Sequence, residues 1–195
     1  MKKINLLFIS LAAAGMLQAC HSHKSTSGSD STTTKMDSTT TVSTTKTDSY
    51  ATVLADTIFA AKAAVGGMAE VALGKMAVTK SSDAKIKDFG NMMVTDHGKA
   101  NDELKEIARK ENIVLPATLD AEHQAKSDSL SKLSGKDFDK AYVAAMIEGH
   151  KKTLALMQSE AASGKDADLK AFAAKTAPVV QTHLDAINKI SDGMK

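Results

Sequence analysis

Four titratable side chains stand on otherwise apolar stripes: Glu70, His97, His150 and His183. Glu70 recurs at helical spacing with Phe59, Ala63, Leu73 and Ala77, and His97 with Phe89, Met93 and Leu104. His150 falls in step with Val143, Ile147 and Leu154, and His183 with Phe172, Val180 and Ile187. Steps of three and four put such residues on one helix face, the face that turns to a core. Burying an imidazole or carboxyl without a partner is costly, so four of them on core stripes need a common explanation. Two stand open. In one, they satisfy each other, Glu70 accepting hydrogen bonds from one or two histidines and setting the packing register. In the other, they bind a transition-metal ion, because neutral imidazole and carboxylate are ligands for zinc, iron, manganese or copper.

A local repeat surrounds two of the histidines: Met93-Val94-Thr95-Asp96-His97-Gly98-Lys99 and Met146-Ile147-Glu148-Gly149-His150-Lys151-Lys152. Met93 and Met146 lie one turn before their histidines on the same face, a soft pairing that suits copper, although methionine at this spacing also serves as core filler. Asp96 and Glu148 sit beside the stripes and are placed to orient the imidazoles from behind. A di-iron bundle site needs Glu-x-x-His pairs. The residues three before the histidines are Val94, Ile147 and Val180, which disfavours that site. His123 reads as a surface residue, and His21 and His23 as incidental. No nucleophile–base pair, phosphate loop or carboxylate dyad is evident, so binding ranks above catalysis.

The elements that must position these groups are helical. From Tyr50 onward the chain is rich in Ala, Met, Leu, Lys and Glu, all good helix formers. The periodicity predicts long helices over about 57–80, 83–112, 137–163 and 166–191, with a short one over about 118–132. Asp56 is the expected N-cap of the first; Ser81-Ser82-Asp83, Pro116, Ser134-Gly135 and Gly164-Lys165 punctuate the rest. This is an all-α four-helix bundle. The first and last junctions are tight and make antiparallel hairpins, whereas the middle connection is long enough to cross the bundle as in ferritin-like folds. Counted from the two tight turns at 1.5 Å per residue, the four polar residues lie roughly 17–29 Å away, all in the middle third. Gly66-Gly67, Gly90, Gly98 and Gly149 suggest close helix approach beside them, and Pro178 predicts a kink or restart before His183.

Ahead of this domain lies an address. Met1-Lys2-Lys3, an apolar run from Ile4 to Met16 and small residues up to Cys20 have signal-peptide layout, too short for a permanent span. Leu17-Gln18-Ala19-Cys20 resembles the lipobox of bacterial lipoproteins, in which the cysteine is lipidated; Gln18 departs from the usual small residue. His21 in place of Asp points, by analogy, to the outer membrane and its periplasmic face. His21 to Ser49 is a Ser/Thr-rich tether expected to be disordered. The 195 residues carry 25 basic and 23 acidic side chains and one cysteine. Lys2 and Lys3 leave with the signal peptide, so the mature charge is zero, which argues against nucleic acid and leaves the lipid on Cys20 as the membrane contact; no protein partner is indicated.

In combination, Gly66-Gly67-Met68-Ala69-Glu70-Val71, Asp96-His97 with Lys99-Ala100-Asn101, Phe138-Asp139 with Tyr142, His150, and Ala173-Ala174-Lys175-Thr176 with Pro178 and His183 resemble the bacterial domain-of-unknown-function family numbered 4142. The resemblance covers essentially all of 56–190. It implies a ferritin-like bundle in secreted or outer-membrane proteins and brings no activity, substrate or cofactor. An envelope interaction or stress-related module with purely structural histidines is the alternative to metal binding.

Overall fold

The computed structural model describes residues 45–194, with side chains from Val53 to Met194. The signal peptide, Cys20, His21, His23 and the tether up to residue 44 lie outside the described residues. Five helices follow one another: α1 (Thr45–Lys80), α2 (Ala84–Lys110), α3 (Ala121–Ser131), α4 (Gly135–Ser163) and α5 (Ala167–Asp192). Among the described residues there is no strand.

The punctuation is local chemistry. Asp83 caps α2 by accepting from the Lys85 and Ile86 N–H groups, Asp120 caps α3 through His123 N–H, and Asp166 caps α5 through Asp168 and Leu169. At the end of α2, Asn112 adopts φ 55° and Ile113 N–H returns to Ala108 O, the left-handed helix stop that Asn tolerates. Gly135 opens α4 at φ +54°, a conformation that costs glycine nothing.

One boundary differs from the sequence expectation. α1 begins at Thr45, so residues 45–49, read as tether, are helical, and Asp56 is no N-cap. Asp56 is instead buried inside α1, where its carboxylate accepts from Lys165 N–H (3.2 Å) and Asp166 N–H (2.8 Å). It thereby satisfies the turn between α4 and α5 from across the bundle. The Val53–Lys80 stretch of α1 is apolar and long enough to cross a membrane, but half of its most apolar window is buried in the protein.

α1 packs on α2 and α4, and α5 packs on α4 and α2. Contacts fix the directions: Asp56 meets residue 166 while Lys80 meets Ser131, and Lys110 pairs with Asp168 while Asp96 meets His183. Every neighbouring pair is therefore antiparallel, and the α2-to-α4 connection runs the bundle's length with α3 lying along α1 and α4, the connectivity of ferritin-like bundles. α1 and α2 cross where Gly74 meets Gly90, a Cβ on either coming within 2.7 Å of the other's carbonyl oxygen. Gly149 likewise makes room, here for the Glu70 carboxyl, whereas Gly98 has nothing within 4 Å of a notional Cβ and does not mark a close approach. α5 runs unbroken through Pro178, so the restart expected there does not occur.

The core falls into two apolar clusters. One, around Phe89, Met93, Phe138 and Tyr142, occupies the end near the α1–α2 turn. The other, around Phe59, Leu104, Met157 and Phe172, occupies the end near the α4–α5 turn. Burying each such side chain contributes about 1.5–3 kcal/mol. Between the clusters lies a polar layer.

Candidate metal centre

That layer consists of Glu70, His97, His150 and His183, one from each long helix, with relative exposures of 5, 6, 0 and 2 %. Each reaches it because it interrupts the apolar stripe of its helix at mid-length. The three imidazoles form a triangle, with ring centroids 5.6 Å apart for His97–His150, 5.2 Å for His97–His183 and 5.6 Å for His150–His183. One nitrogen from each lies within 4.8 Å of the others.

Hydrogen bonding decides which nitrogen is free on two of the rings. His150 Nδ1–H donates to Met146 O at 2.8 Å; a carbonyl only accepts, so the proton is on Nδ1 and the Nε2 lone pair is bare. His183 Nε2–H donates to the Asp96 carboxylate at 3.1 Å, which leaves Nδ1 bare. His150 Nε2, His183 Nδ1 and His97 Nε2 are all buried without a partner. Each orphaned buried polar atom costs about 1–3 kcal/mol, and a cation is a remedy open to three imidazoles whose nitrogens lie this close. An ion with about 2.0–2.1 Å bonds to nitrogen holds tetrahedral donors about 3.3 Å apart, so the rings need close by no more than about 1.5 Å.

Burial keeps the imidazoles in their ligating form. It pushes His97 down to about 3, aided by His150 and His183, and His150 down to about 4 against the opposing bond to Met146. His183 is also lowered by burial, with Asp96 working the other way. Three neutral imidazoles with two of their rear N–H groups tied to an acceptor make a donor set for a divalent transition metal.

Glu70 does not belong to the triangle. Its Oε1 lies 3.6 Å from His150 Nδ1, the rear of that ring, and Oε2 has no partner. At 3.6 Å no hydrogen bond forms, so the arrangement in which Glu70 satisfies the histidines is absent as well. Burial raises its carboxyl to about 8, with Lys126 opposing. Glu70 also borders a groove of about 660 Å³ between α1, α3 and α4.

The remaining candidates separate. Asp96 holds His183. Glu148 does not orient an imidazole: its side chain is 55 % exposed and pairs with Lys126 and Lys152 on the outer face of α4. The helix puts Glu148 two residues from His150 and so on a different side. Met146 contributes its backbone carbonyl, and Met93 packs at the α1–α2 crossing beside Gly74. His123 lies at the start of α3, bonded to Asp120 at 2.7 Å and outside the triangle. Sequence reasoning missed Phe89, whose ring centroid lies 5.8 Å from that of His150, although it shares a stripe with His97. It also missed buried Glu160, which burial, Asp56 and Asp166 raise to about 7.

A family model described as a domain of unknown function (DUF4142) matches residues 40–190. Among curated proteins and solved structures nothing matches the chain.

Proposed function

The chain belongs to the DUF4142 family, and on that premise we propose that its bundle binds one divalent transition-metal ion through His97, His150 and His183, in a protein anchored to the cell envelope by a lipid on Cys20. The observation that carries the metal reading is three imidazoles, each offering a nitrogen within 4.8 Å of the others and each holding a buried nitrogen without a partner, in a layer between two apolar clusters. An all-imidazole donor set favours zinc or copper over manganese, which prefers oxygen. With Glu70 behind His150 and neither methionine sulfur needed to complete the set, the site is a three-histidine one rather than the four-residue one the sequence suggested. The bundle core is then the binding element, and no reaction is assigned to it.

Support for the address comes from the residues of the N-terminus alone: the cationic start, the short apolar run and Cys20 as the single cysteine. Several acyl chains anchor stably, since each buried CH₂ contributes about 0.8 kcal/mol. Palmitate labelling of the wild type and of Cys20→Ala tests this; equal labelling rejects the anchor. The metal reading is tested by elemental analysis of the protein purified without a polyhistidine tag and exposed to zinc or copper, where one equivalent is expected.

A further inference from the structure

We propose that the cleft between α2 and α5 is the way in to the three-histidine ion and the seat of a small anionic ligand that completes its coordination; this rests on the metal reading above. Three side chains supply donors, and no fourth stands ready among the described residues. Glu70 lies behind His150, and the Asp96 carboxylate is engaged on His183 Nε2. Sites with three protein donors keep a position for a ligand from outside.

The surroundings say from which side it arrives. His97 and His183 line a cavity of about 330 Å³ on the α2–α5 face, together with Asp96, Lys99, Glu103, Lys175 and Thr176. His150 is fully buried and does not reach it. On the opposite side the groove between α1 and α4 stops at Glu70, which stands between it and the triangle. The α2–α5 cleft is thus the side on which ligating rings themselves form the wall. Its volume is far above the about 10–15 Å³ that one water needs, so a carboxylate-sized anion fits.

Charge selects the class of ligand. Three neutral imidazoles leave the ion's double charge uncompensated, and a bound cation dominates the local field. Both acids of the cleft are engaged, Asp96 on His183 and Glu103 on Lys175 at 2.7 Å, whereas Lys99 lines it and makes no ion pair among the described residues. A small anion meets the ion in front and a lysine at its side.

The probe is azide, titrated into the protein loaded with cobalt(II), whose visible spectrum reports its coordination. The expected result is a saturable spectral change in the wild type. Thr176→Phe fills the cleft from a half-buried position and should weaken azide at least tenfold while metal stoichiometry is kept. Val179→Trp, an exposed residue on the same cleft, replaces it if the first variant fails to fold. Lys99→Ala should weaken azide about threefold. Cobalt uptake with no azide response overturns this inference and leaves the metal reading standing; no cobalt uptake overturns the metal reading itself. An unchanged azide affinity in a folded, metal-loaded cleft variant overturns the route.

Discussion

Asp96 on α2 holds His183 on α5 across the bundle, its carboxylate accepting from Nε2–H at 3.1 Å. The bond does more than join two helices. It fixes the tautomer that leaves the buried Nδ1 bare, so a surface-reaching acid sets the chemistry of a buried ring. Asp96→Ala should therefore lower metal affinity by about 10- to 100-fold with the fold retained, as read by competition with a chromogenic chelator and circular dichroism. Unchanged affinity would show that the bond is only a helix tie.

Glu70→Gln separates the triangle from the carboxyl behind it. The variant should keep full metal stoichiometry, because Glu70 lies outside the ring of donors. It should also resist alkaline unfolding better than the wild type. Burial holds the Glu70 proton up to about 8 in the fold but only to 4.5 in the unfolded chain, so stability falls as pH rises through this window, and Gln has no proton to lose. Loss of metal in Glu70→Gln would return this residue to the donor set.

The same linkage gives the metal-free protein a stability optimum. His97 and His150 take up protons near 6.5 when unfolded but only at about 3 and 4 when folded, so stability falls as pH drops below 6.5. Glu70 and Glu160, raised to about 8 and about 7, act in the opposite sense, and stability falls as pH rises through their window. With His183 also lowered, the histidines outweigh the two acids below 6.5 and the acids act alone above it. Denaturant midpoints should peak near about pH 6–6.5. A profile still rising at pH 8 contradicts this balance.

Two glycines should respond oppositely to alanine. Gly90→Ala drives a Cβ to within 2.7 Å of the Gly74 carbonyl oxygen and should cost about 1–3 kcal/mol. Gly98→Ala meets nothing within 4 Å on a helix and should stabilise by up to about 1 kcal/mol. Thermal melts of both variants at pH 7 check the pair; destabilisation by Gly98→Ala would mean that glycine is there for another reason.

The sequence made the helices legible because stripes of three and four, Asp83 and Asp166 as caps, and Gly135 as a turn are local signals. His97, His150 and His183 were legible for the same reason: each interrupts an apolar stripe at mid-helix. Side-chain direction across the bundle was not. Glu70 shares the level of the histidines yet points to the rear of His150, which depends on how α1 is rotated against α4 around Gly149. Asp56 looked like a cap because a short acid before an apolar run reads so, and its partners lie 109 and 110 residues away. Glu148 and Asp96 occupy nearby positions of a repeat, but only Asp96 faces a ring on a neighbouring helix.

Metal content decides the central claim. The protein, purified without a polyhistidine tag, exposed to zinc or copper and freed of excess, should retain one equivalent by elemental analysis. His150→Ala should drop it at least tenfold, while Lys151→Ala, on the exposed face of α4, should leave it unchanged. Less than about a tenth of an equivalent in the wild type, with no rise in thermal midpoint on metal addition, would contradict the account.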